Sequence, residues 1–135
     1  MKKLLIPIIL MLALAACQSE KVTSETVSII GGSYQNIDAG TFDTMLKDKD
    51  FLLVNVHIPF AGNIAGTDLS IPYNDIQKNL SKLPAQKDAK IVLYCSSGRM
   101  SQMAAEELVF LGYTNVWNLK GGMVEWKQAG FKLEQ

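Results

Sequence analysis

The sequence predicts an α/β domain with a mainly parallel sheet of about five strands and helices on both faces, and two observations carry that prediction. Short apolar, β-branched runs recur along the chain, separated by stretches with helical spacing. Two of those runs, Phe51-Leu52-Leu53-Val54-Asn55-Val56 and Ile91-Val92-Leu93-Tyr94, do not alternate apolar with polar residues. Strands covered on both faces read this way.

Taken from the start, the chain opens on Met1-Lys2-Lys3, continues through the apolar stretch Leu4 to Leu14 and closes it with Ala15-Ala16-Cys17. That is the layout of a signal peptide over residues 1–16, too short for a membrane span of roughly 20 apolar residues. The junction Leu14-Ala15-Ala16-Cys17 resembles a bacterial lipobox, which implies that Cys17 becomes the lipidated first residue of the mature protein. Its acyl chains would hold the protein on a membrane as a single chain does not. Residues 17–33 then read as a flexible tether, with a Ser/Thr-rich segment and Gly31-Gly32. About 15 such residues reach on the order of 20 Å. The expected location is an exported, membrane-anchored one: on the periplasmic side in a diderm cell, on the outer face of the cell membrane otherwise.

Residues 34–135 suffice for one compact core. The expected strands are Tyr34 to Ile37, Phe51 to Val56, Ser70 to Tyr73, Ile91 to Tyr94 and Asn115 to Trp117. Helices are expected over Ala39 to Lys47 behind an Asp38 cap, over Asp75 to Lys82 behind an Asn74 cap, over Arg99 to Leu111 closed by Gly112, and after Gly121-Gly122. The stripe Met100, Met103, Ala104, Leu108 and Leu111 has helical spacing and reads as core, as do Trp117 and Trp126.

Thirteen basic and thirteen acidic residues balance, and Arg99 is the only arginine. No basic stripe supports a nucleic-acid partner. With one histidine, His57, the chain offers no metal cluster and no obvious partner for a nucleophile. Since no long apolar helix or strand is left over once the core is assigned, a monomer is expected. With Cys17 lipidated, Cys95 has no disulfide partner, so an exported domain retains one free thiol that needs a reason.

The segment Tyr94-Cys95-Ser96-Ser97-Gly98-Arg99-Met100-Ser101 passes from a buried strand into a helix, at the strand end where open parallel sheets bind ligands. A tight turn there aims backbone N–H groups at the sulfur of Cys95, and these and the helix dipole favour its anionic form. Together with Gly112-Tyr113, Gly121-Gly122-Met123 and Trp126, the Cys-x-x-Gly-Arg loop resembles the second half of a single-domain rhodanese. In the first half, Asn55-Val56-His57 stands where such domains commonly have Asp-Val-Arg, and Gly62-Asn63-Ile64 where they have Gly-His-Ile.

The resemblance implies a rhodanese-like fold and a sulfurtransferase. Cys95 would take sulfane sulfur from thiosulfate or a persulfide donor and pass it, as a Cys95 persulfide, to cyanide or a thiol acceptor. Ser96, Ser97, Gly98, Arg99 and Met100 would bind the substrate, with no metal or organic cofactor. Arg99 suits an anionic donor, although pairing with a nearby carboxylate such as Glu106 or Glu107, or simple solvation, is an alternative for it; Met100 stands where many relatives are polar or basic. His57 suits proton transfer or, like its family counterpart, a structural role, and Asn55 reads as a loop-securing residue. Two other readings stand beside the enzyme: a non-catalytic sulfur carrier, sensor or protein-binding module, and a structural protein with an inert buried Cys95. Phosphatases of related fold need Cys-x-x-x-x-x-Arg, and the position that would hold the arginine is Ser101.

Overall fold

The computed structural model describes residues 21–135, so the expected signal peptide and Cys17 lie outside the described residues. Six strands occur among the latter: β1 (Glu25–Ile29), β2 (Gly32–Ile37), β3 (Leu52–Asn55), β4 (Leu69–Ser70), β5 (Ile91–Tyr94) and β6 (Val116–Leu119). Three α-helices, α1 (Ala39–Lys47), α2 (Arg99–Phe110) and α3 (Gly122–Gln128), and a 3-10 helix at Gln77–Lys82 connect them. They form one sheet in the order β1-β2-β6-β5-β3-β4, with β1 antiparallel to β2 and every other neighbouring pair parallel.

β5 lies between β6 and β3, and all four of its residues are fully buried. Ile91 and Leu93 join the cluster on the α2 face, with Ala104, Ala105 and Leu108, whereas Val92 and Tyr94 join Phe42, Met123 and Trp126 on the α1 and α3 face. Burial on both faces explains the missing alternation. Each such aliphatic side chain contributes about 1.5–3 kcal/mol. The site therefore hangs from the best-packed strand.

Helix α1 starts where its cap predicts, with the Asp38 carboxylate accepting from Thr41 N–H at 2.7 Å. Helix α2 ends in a Schellman arrangement: Gly112 N–H bonds Val109 O and Tyr113 N–H bonds Leu108 O, both at 3.0 Å.

Four expectations need correction. The tether does not run to Ser33, because Glu25–Ile29 pairs with Gly32–Ile37 as a hairpin whose Val27 and Ile29 pack against the core. The strand expected from Ser70 to Tyr73 is only the two-residue β4, ending at Ser70. The helix expected from Asp75 behind Asn74 is a 3-10 helix from Gln77, with no side-chain cap. There the Asn79 side chain donates to Asp75 O at 2.8 Å, occupying the acceptor an α-helix would offer Asn79 N–H, which turns to Ile76 O instead. Met103 is 48% exposed: α2 buries Ser101, Ala104, Ala105, Leu108 and Val109, a stripe rotated away from it, with Met100 and Leu111 half-buried at its edges. Trp126 is core, and Trp117 is half-buried against the same cluster.

Candidate functional site: the Cys95 loop

Cys95 follows the last residue of β5, is 1% exposed, and is a free thiol. Its sulfur lies 3.1 Å from Gly98 N and 3.4 Å from both N and Oγ of Ser101, all three placed to donate to it. A sulfur at the start of a helix, met by N–H groups that have no intrahelical acceptor, is an environment that favours negative charge. The Ser101 hydroxyl is also 3.2 Å from Gly98 O, so its one hydrogen is contested between that carbonyl and the sulfur.

Among the expected binding residues, Gly98 is the one whose amide contacts the sulfur; its φ of +96° makes the turn between strand and helix. Ser96 is half-buried and its carbonyl accepts from Val124 N–H at 2.9 Å. Ser97 and Arg99 are exposed and line a groove on the outer side of the loop, together with Asn36, Gln102, Asn118 and Lys120. Arg99 takes part in none of the ion pairs among the described residues, so the pairing with Glu106 or Glu107 is not formed. Met100 is half-buried and packs its apolar side chain against the core. Ser101 was outside the expected set. The sequence signal for it is its place two residues after Arg99 of the Cys-x-x-Gly-Arg loop, and the structure puts it on α2's buried stripe.

The loop is held from behind by helix α3. Met123 N–H donates to Cys95 O and Val124 N–H to Ser96 O, both at 2.9 Å. Gly122, at φ +53°, makes this approach possible: a Cβ there would lie 2.7 Å from Ser96 O and closer still to Cys95 O. Tyr94 secures the other side. Its hydroxyl receives Ile64 N–H at 3.0 Å and lies 2.7 Å from Thr67 Oγ1, and burial raises its pKa above the ordinary value, keeping it protonated. Asn55 is 1% exposed; its amide donates to Gly62 O at 3.0 Å and Asn63 Oδ1 at 2.9 Å, and its Oδ1 accepts from His57 N–H at 3.0 Å. These bonds make Asn55 the fastener of the β3–β4 connection. The His57 ring is half-buried and its Nδ1 has no partner among the described residues. No three His, Cys, Asp or Glu side chains cluster as metal ligands among the described residues.

Comparison with known proteins agrees with this geometry. The chain is 34% identical over 100 residues to a sulfurtransferase of Allochromatium vinosum, a match covering 72% of this chain and 92% of that protein. It is 29% identical over 96 residues to tRNA uridine(34) hydroxylase of Escherichia coli, of which it spans only 27%. A rhodanese-related protein of Thermoplasma volcanium superposes with a TM-score of 0.61 at 27% identity, over 73% of this chain and 95% of the other. The model of the rhodanese-like domain matches residues 33–129, most of the folded chain, and the protein belongs to that family.

Proposed function

We propose that the protein is a sulfurtransferase that carries sulfane sulfur as a persulfide on Cys95. The observation that carries this reading is the convergence of the Gly98 and Ser101 donors on one sulfur atom at a strand end. A cradle closed around a single atom suits an anionic sulfur, whereas a phosphatase loop must surround a tetrahedral oxyanion. Relationship to a sulfurtransferase at 34% identity supports the same class.

In the first half-reaction, the Cys95 thiolate attacks the outer sulfur of thiosulfate or another sulfane donor. A new sulfur–sulfur bond forms, the donor's own bond breaks, and the rest of the donor, sulfite from thiosulfate or a thiolate from a persulfide, leaves with the electron pair. In the second, the outer sulfur passes to cyanide or a thiol, and the pair returns to Cys95 Sγ. The cradle helps by holding Cys95 as the thiolate before attack and by receiving the charge that returns to Sγ in the second half-reaction, with donors fixed in place before either begins. Arg99, exposed beside the loop, supplies the positive charge that attracts an anionic donor.

The pattern of residues 1–17 supports a further part of the proposal, that Cys17 is lipidated and anchors the domain to a membrane. With β1 starting at Glu25, eight residues after Cys17, the domain would stay near the lipid surface.

Intact-mass spectrometry of the protein with and without thiosulfate tests the chemistry. Gain of one sulfur atom, absent in Cys95→Ser and removed by cyanide with release of thiocyanate, is the expected result. Failure to load from thiosulfate and from other persulfide donors would refute the enzyme reading, and loading without discharge would make the protein a carrier.

A further inference from the structure

The groove on the outer side of the Cys95 loop has a feature that folding alone does not account for. Its floor holds Asn118, on β6 and 3% exposed, whose Nδ2 donates to Asn36 Oδ1 at 2.9 Å while its Oδ1 has no partner among the described residues. An unsatisfied buried carbonyl costs about 1–3 kcal/mol, and such groups are ordinarily paired. Arg99 and Gln102, in the first turn of α2, and Lys120 line the same groove. No carboxylate lines the groove. The acidic groups around it are Glu125, whose carboxylate lies against Gly121 at the groove's edge, Glu25, which pairs with Lys120 at 3.4 Å through two side chains that are 64% and 65% exposed, and Glu106, which accepts from Gln102 Nε2 at 3.1 Å. Among the described residues Arg99 is in no ion pair.

A buried acceptor next to two cations and a helix N-terminus asks for a ligand with a donor and an anion close together. We propose that this groove binds a small amino-acid-type thiol, its ammonium on Asn118 Oδ1 and its carboxylate between Arg99 and Lys120. The volume, about 260 Å³, falls below the roughly 300–1,000 Å³ of sites for drug-sized ligands and suits one amino acid. Gly98 belongs to both places, since its N–H lies on the Cys95 sulfur and the residue lines the groove. The ligand is thus the sulfur acceptor, an assignment that rests on the sulfurtransferase reading. Its thiolate attacks the outer sulfur of the Cys95 persulfide, the new sulfur–sulfur bond forms on the acceptor, the Cys95–sulfur bond breaks, and the electron pair stays on Cys95 Sγ. The thiol's proton leaves to solvent, and no oxidant is consumed.

Binding is tested apart from turnover with S-methyl-L-cysteine, which has the ammonium and carboxylate but cannot accept sulfur. In NMR titration of the protein, the side-chain amide signals of Asn118 and Asn36 should shift, and Lys120→Met should weaken the binding about tenfold. Lys120 is exposed, so that variant keeps the fold where Asn118→Leu would disturb the Asn36 pair. No shift at those amides, or one that Lys120→Met leaves unchanged, would overturn the site. For transfer, persulfide-loaded protein is discharged with L-cysteine, 3-mercaptopropionate, cysteamine and 2-mercaptoethanol. Cysteine should lead once rates are corrected for each thiol's ionisation, and the ratio of cysteine to 2-mercaptoethanol should collapse in Lys120→Met. Because both thiols discharge the same loaded protein, that ratio does not depend on loading efficiency, and an unchanged ratio would refute the acceptor role. If the unaltered protein fails to load at all, the sulfurtransferase reading falls while the NMR result still decides the groove.

Discussion

Replacing Gly122 by alanine isolates the packing that positions the sulfur loop. The added Cβ would meet the Cys95 and Ser96 carbonyl oxygens, the latter at 2.7 Å, and the Ser96 carbonyl carbon at 2.9 Å, all of them backbone and none free to swing aside. The left-handed φ of +53° adds about 1–2 kcal/mol for a residue with a side chain. Overpacking adds about 1–3 kcal/mol. Together these make roughly 2–5 kcal/mol, a large part of a domain's usual 5–15 kcal/mol. The chain relieves the clash by withdrawing the loop, which breaks the Met123 and Val124 bonds to it and moves Cys95 away from its donors. Gly112→Ala is the control: φ there is +92° with nothing within 4 Å of the added carbon, so only the conformational cost of about 1–2 kcal/mol applies. Denaturant unfolding measures the stability of both variants, and intact-mass kinetics measure thiosulfate loading. Gly122→Ala should be the less stable and load poorly. Equal destabilisation of the two, with loading intact in Gly122→Ala, would refute the claim that the glycine exists for the loop's close approach.

Three other predictions address the supports around that loop. Ser101→Ala removes a hydroxyl 3.4 Å from the sulfur and should slow single-turnover loading about tenfold, the worth of one hydrogen bond to a charged atom; an unchanged rate would assign that hydrogen to Gly98 O instead. Asn55→Ala deletes three hydrogen bonds and strands a backbone N–H at His57, so urea unfolding should show a loss of about 3 kcal/mol, and a loss under about 1 kcal/mol would deny it the fastening role. At Asp68, burial pushes the pKa up, but the Leu53 N–H bond at 2.8 Å and the Lys49 ammonium at 2.7 Å outweigh it and hold the folded value below the ordinary 3.8. A depressed carboxylate stabilises the fold above its unfolded pKa and loses that contribution as pH falls through the folded one. The stability gap between the native protein and Asp68→Asn should therefore be constant near neutrality and close below about pH 4. It should also be small, because the carboxylate is 37% exposed and water screens the pair. A gap that widens toward acid would contradict the assignment.

Much of the fold was readable because the signals were local. Asp38 announced α1 three residues before the bond it accepts, and the unalternating run Ile91 to Tyr94 announced a strand buried on both faces. Errors arose where a side chain overrode a pattern or where a pattern was short. Asn79 diverts one carbonyl and converts an expected α-helix into a 3-10 turn. Strand β1 is only five residues long and lies at the sheet edge beside a glycine turn, so its Val27 and Ile29 were too few to stand out from a tether. On α2, Met103 belonged to an apolar stripe by spacing, but small residues at Ala104, Ala105 and Ser101 are what let the helix lie close to β5 and β6. Hydrophobicity ranks Met above Ala, whereas packing against a sheet selects by shape.

The site divides along the same line. Cysteine, glycine and arginine in one short loop can be found by inspection because the chemistry needs those residue types. The groups that hold the loop are backbone amides of Met123 and Val124, which any residue would supply, and they act from 28 residues further along the chain. Only the space they require leaves a mark in the sequence, as Gly122. Asn118 illustrates the converse. Its residue type is unremarkable on a strand, and its interest comes from a buried oxygen left unpaired below a cationic rim, a property of three segments brought together by the fold. Catalytic identity is thus written in the residues that touch sulfur. Choice of acceptor, on the reading advanced above, depends on Asn118 and Lys120 as well as on Arg99, and the first two lie outside the loop, so members of this family with the same Cys95 loop need not share an acceptor.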